Sequence, residues 1–202
     1  MGIRSLSTAS ISAGTKRSKV WDQSAVVPTN SYESIATYVV GAGGTASYTF
    51  SSIPQTYKHL QIRVVSRSDR AITAEGTWFY PNGDTTTTNY TRHVLGGDGS
   101  TTFSSATVPT SGGTGTVYTP GASALSNAFS VGIVDIFDYT NTNKYKTFKT
   151  LTGLDTNGTN GEIRVVGGLW LSTSAITSIK IDTQGGGNFT QYTTFALYGI
   201  KG

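Results

Sequence analysis

The chain contains no cysteine among its 202 residues. Disulfides, thiol catalysis and cysteine zinc sites are therefore excluded. Histidine is almost as scarce. His59 and His93 are too far apart in sequence for a short-spaced histidine metal motif. Charged residues make up only 13% of the chain. No apolar run approaches the ~20 residues of a membrane-spanning helix. The basic N-terminus has no apolar stretch behind it, so no secretory leader is expected. What the sequence does have is threonine (34), serine (23) and glycine (25), with aromatic residues at 11%. Polar composition of this kind can leave a chain unfolded, but the aromatic content and β-branched runs argue for a packed core. The length suits one domain able to bury a core without staples.

Charge is unevenly placed. Arg4, Lys16, Arg17 and Lys19 precede the first acidic residue, Asp22, and the remaining 11 basic residues balance the 11 acidic ones. The sequence pI of about 9.3 thus comes from a short leader and not from a basic body. A nucleic-acid-binding domain would carry its cations on the folded surface, so neither nucleic acid nor a membrane is expected as a partner. Residues 1–31 lack a sustained apolar period and read as an extended arm; 32–202 read as the body. In the arm, Arg4, Lys16, Arg17, Lys19 and Trp21 are the candidate partner-binding residues. The cations suit an acidic protein surface, and tryptophan is a common interface anchor.

Past Pro28 strand signals are continuous. Ser34–Val40 and Thr45–Phe50 flank GAGG and predict a hairpin. Leu60, Ile62 and Val64 alternate with His59, Gln61 and Arg63, the period of a half-buried strand. Thr77–Tyr80 leads into PNGD, whose Asn-Gly pair accepts positive φ. Asn89–Leu95 ends at GGDGS. Residues 100–126 read as a long loop with one short strand at Thr116–Tyr118, either a binding surface or a connector. Phe129–Phe137 is apolar on both faces, as in a central strand. Lys144–Leu151 alternates. Gly167-Gly168 predicts a bulge between Glu162–Val166 and Leu169–Leu171. Ile176–Asp182 and Thr193–Ile200 complete about ten strands with no helix. The predicted fold is all-β: an antiparallel β-sandwich of jelly-roll type with an extended N-terminal arm.

Residues with chemical potential are few. Asp135, Asp138 and Asp155 could bind an ion or do acid–base work, but turn formation and pairing with lysine explain them better. His59 and His93 have no serine elbow to join. The glycine clusters lack the context of a phosphate loop. Arg63, Arg67 and Arg70 could line a basic strip beside Trp78 and Tyr80, although salt bridges with Asp69 and Glu75 are the simpler expectation. Trp78, Tyr80, Tyr90 and Trp170 could stack on sugars, with a place in the core the expected alternative. No catalytic, cofactor or metal-binding residue is assigned, and the chain is not expected to be an enzyme.

Several strings add a resemblance. TKRSKVWDQSAV at 15–26, IPQTYKHLQIRVVSR at 53–67, NYTRHVLGGDGS at 89–100 and the ending FALYGIKG resemble small virion structural proteins of tailed bacteriophages, especially marine cyanophages. The resemblance spans most of the chain and is weakest at 71–88 and 100–126. It implies a place in a virus particle and no catalytic residues to carry over. The expected function is a capsid decoration or cement protein on the particle exterior, anchored by its arm to other virion proteins. It would assemble as a homo-oligomer, with a trimer the first guess. The alternative is a tail-fibre or baseplate component that binds host-surface glycans.

Overall fold

A computed structural model describes residues 31–108, 112–157 and 161–202. The described chain forms twelve strands: β1 (Tyr32–Val39), β2 (Ser47–Phe50), β3 (His59–Ser66), β4 (Ala74–Pro81), β5 (Tyr90–Gly97), β6 (Thr102–Thr107), β7 (Thr114–Pro120), β8 (Ser130–Phe137), β9 (Lys146–Leu154), β10 (Glu162–Trp170), β11 (Ile179–Thr183) and β12 (Thr194–Ile200). A single 3-10 turn at Thr87–Asn89 is the only helical element among the described residues. The strands form two antiparallel sheets. The large sheet has the order β1-β12-β3-β8-β9-β10-β5-β6, and the small one β2-β11-β4-β7. The all-β antiparallel sandwich expected from the sequence is thus present.

Alternation builds the core. Leu60, Ile62 and Val64 of β3, Val134 and Ile136 of β8, Phe148 of β9, and Phe195 and Leu197 of β12 point inward from the large sheet. Phe50, Phe79, Val117, Ile179 and Ile181 meet them from the small one. Each such side chain stabilises the fold by about 1.5–3 kcal/mol when fully buried. The threonine-rich composition enters this interior through a chain of hydroxyls. Thr77 Oγ1 lies 2.7 Å from Thr119 Oγ1, Thr119 Oγ1 lies 2.7 Å from Ser66 Oγ, and Ser66 Oγ lies 3.1 Å from Ser130 Oγ. A hydroxyl both donates and accepts, so a buried file of them satisfies itself. This file ties β4 and β7 to β3 and β8 across the sandwich.

Four expectations need correction. The GAGG segment does not close a hairpin: β1 pairs with β12 and β2 with β11, so the chain changes sheet there. Tyr38 and Tyr48 then stack across the two layers, with centroids 4.0 Å apart and planes within 5°. Residues 100–126 hold two strands, not one. β6 pairs with β5 at the sheet edge. β7 backs directly onto β8, where a side chain at Gly132 would collide with Val117. The expected strand at Thr116–Tyr118 lies within β7, while serine and threonine hid β6 and the full length of β7, because neither gives an apolar period. Gly167-Gly168 makes no bulge: β10 keeps unbroken register with β9 and β5. Finally, β8 is central in its sheet but alternates buried and exposed, because the small sheet covers only one of its faces. The PNGD turn forms as expected, with Asn82 and Gly83 at φ of 51° and 68°.

Candidate interaction surface

Arg4, Lys16, Arg17, Lys19 and Trp21 lie outside the described residues. The remaining candidates are all placed, and they do not converge. Asp135 accepts from Gln61 Nε2 at 2.8 Å on the outer side of the large sheet. Asp138 sits at the end of β8 beside Lys144 and Lys58, whose Nζ is 3.1 Å away. Their ammonium groups, Lys144 first, pull its pKa down to about 2. His59 Nδ1 accepts the Asp138 amide at 3.0 Å, which places the proton of a neutral ring on Nε2. Asp155 accepts from the Asn157 amide in a turn. Among the described residues no cluster of three or more acidic, histidine or cysteine side chains could hold a metal.

The three arginines form no strip. Arg63 lies over the Tyr198 ring and donates to Gln61 Oε1 at 3.1 Å. Arg67 donates to the carbonyls of Leu125, Ala128 and Ala124. Arg70 reaches buried Glu75, whose Oε2 also accepts from the Gly185 amide at 3.0 Å. Trp78, Tyr90 and Trp170 are buried, as the core reading expected, while half-buried Tyr80 meets Tyr90 edge-on. The sequence reading missed two further arginines, Arg92 and Arg164. Arg164 lies 3.8 Å from the Tyr118 ring centroid and reaches both carboxylate oxygens of Glu162, at 2.8 and 2.9 Å. Arg92 lies over Trp78 and donates to Thr116 Oγ1 at 3.0 Å. Burial, then the nearby Arg164 charge, lowers the Arg92 pKa. This seam fastens β5 and β10 to β4 and β7. It fixes the part of the large sheet that extends past the small sheet's edge strand.

The outer face of that large sheet is the most unusual surface of the molecule. Register aligns its side chains in rows across the strands. One row runs Arg63, Ile133, Leu151, Val165, Leu95 and Ser104. The row beside it runs Val65, Val131, Gly153 and Ile163. On the other side lie Gln61, Asp135, Lys149, Gly167 and His93. The seven aliphatic side chains of the first two rows are all between 38% and 64% exposed. An antiparallel sheet with one face on the core ordinarily turns polar residues outward. Here the middle of the sheet turns out valine, leucine and isoleucine. Together they expose apolar surface on the order of 500 Å², at the upper end of what a monomer leaves open. The signal was in the sequence, as the two-sided apolarity of Phe129–Phe137. It was read as a strand covered on both sides.

No protein-family model, no curated protein and no solved structure matches the chain.

Proposed function

We propose that the chain is a structural accessory protein of a phage virion, of the capsid decoration or cement type. It sits on the particle exterior as a homo-oligomer and is anchored to other virion proteins by its N-terminal arm. One observation carries this reading: the aliphatic outer face of β3, β8, β9, β10 and β5 is a surface suited to protein contact. The sequence strings quoted above support the virion setting. A mechanical role follows from that surface and a cationic tether. The body covers neighbouring subunits, and many copies on a repeating lattice gain by avidity what one arm alone could not hold.

We further read the sandwich as a jelly roll. Strands β1-β12-β3-β8 and β2-β11-β4-β7 make two four-stranded layers, and between these eight the chain switches layer at every step except from β4 to its antiparallel neighbour β7. That pattern fits two interleaved Greek keys. On this reading β5–β6 and β9–β10 are inserted hairpins that widen the first layer. Of the four aromatic residues that could stack on sugars, Trp78, Tyr90 and Trp170 are buried and Tyr80 is half-buried, which leaves the glycan-binding alternative with the weaker support.

Deleting residues 1–27 leaves a folded, soluble body that no longer joins particles. Co-sedimentation of the truncated and full chains with particles checks this, and equal incorporation of the two would refute the arm's role.

A further inference from the structure

We infer that the aliphatic outer face pairs with the same face of a second copy, about a twofold axis that runs parallel to the strands between β8 and β9. This deepens the homo-oligomeric part of the proposed function and rests on that part alone.

The geometry comes from the register. Two sheets packed face to face keep their strands within about 30° of one another. A twofold axis parallel to the strands keeps each row opposite itself and exchanges β8 with β9. Ile133 then faces the second copy's Leu151. Val131, among the more exposed side chains of the patch, faces Gly153, the one position in the two rows between β3 and β10 that has no side chain. Asp135 faces Lys149, and Lys149 faces Asp135. These two are cross-strand neighbours within one copy, yet no ion pair joins them. Lys149 is therefore available to a second copy. Its row also brings Gln61 over Gly167. Bump meets notch and acid meets base twice, as a self-complementary interface requires.

Size agrees. A stable pair covers about 800 Å² per partner. The aliphatic rows supply much of that, and the flanking row of Gln61, Asp135, Lys149 and His93 supplies a polar rim of the kind such interfaces carry. Shifting the axis by half a strand spacing, onto β9, would set Asp135 over Gly167 and Lys149 over itself. The charges favour the axis between β8 and β9.

Sedimentation velocity on the full chain tests the pairing. The wild type is expected to reach twice the monomer mass as concentration rises toward about 100 μM. Leu151→Glu is expected to stay monomeric with its thermal transition intact, because that side chain leaves the core untouched. Asp135→Lys alone and Lys149→Asp alone are each expected to weaken pairing about tenfold or more, and the double exchange to restore it. Thermal transitions of the same substitutions in the monomeric Leu151→Glu background separate their effect within one copy from that between copies. A wild type that stays monomeric, a closed trimer, an undiminished dimer of Leu151→Glu, or a double exchange that restores nothing would each overturn this pairing. A trimer would leave the homo-oligomeric reading standing without this twofold.

Discussion

Lys146→Met lowers the stability of the body by about 2–4 kcal/mol, because it takes the donor away from three backbone carbonyls at once. Lys146 is fully buried at the start of β9. Its ammonium donates to the carbonyls of Asn141 at 2.6 Å, Lys144 at 3.0 Å and Thr173 at 2.9 Å. An ammonium has three hydrogens, and all three are used. Burial, with the Lys144 charge second, lowers the pKa of Lys146, yet three carbonyl dipoles favour the charged form. Methionine keeps the length of the stem and removes the cation. Three carbonyls then lose their partner, at about 1–3 kcal/mol for each one left buried and unpaired. The loss is cooperative, because Lys146 joins the β8–β9 loop to the segment that follows β10. Urea unfolding checks it. The midpoint is expected to drop with an unchanged slope, and a methionine variant as stable as the wild type would show that the cage contributes nothing.

Asp84→Ala is expected to cost about 2–4 kcal/mol, since it strips partners from several groups at once. The Asp84 carboxylate closes the PNGD turn by accepting from the Thr86 amide at 2.9 Å. It also accepts from Asn89 Nδ2 and Trp170 Nε1, both at 2.8 Å. Burial pushes its pKa up, but the bonds from Trp170 and Asn89, with those from Thr86, more than offset this and leave it below the ordinary value. Alanine leaves the indole N–H of buried Trp170 without an acceptor. Asp84→Asn keeps an acceptor oxygen and loses the charge, so it should fall between the two. Thermal unfolding followed by tryptophan fluorescence ranks the three chains, and an alanine variant that melts with the wild type would contradict the account.

These two residues mark the limit of what the sequence made legible. Fold class was readable, because alternation at Leu60, Ile62 and Val64 and the Asn82-Gly83 turn act through local geometry. Strand partners were not. GAGG looks like a hairpin loop, and only the long-range pairing of β1 with β12 and of β2 with β11 decides that β1 and β2 separate. β6 was missed and β7 was read too short because threonine reads as loop in a periodicity count, whereas buried Thr77 and Thr119 satisfy each other through hydroxyls. Lys146 looked like one more charge in an alternating strand, and nothing in its neighbours predicts three carbonyls from two loops. The aliphatic outer face was visible as a pattern at Val131 and Ile133, and the error lay in supplying it with a second layer from the same chain. Arg92 and Arg164 are far apart in sequence and meet aromatic partners only because β10 pairs with β5 beneath β7.

The central proposal is that this body is a building unit whose aliphatic face pairs with a second copy and whose basic arm meets other proteins of a virus particle. Quantitative mass spectrometry of virus particles purified from lysates that contain the chain tests this most directly. The account predicts the chain at copy numbers comparable to the shell protein. Its absence from intact particles, with the chain recovered only as free protein, would contradict it.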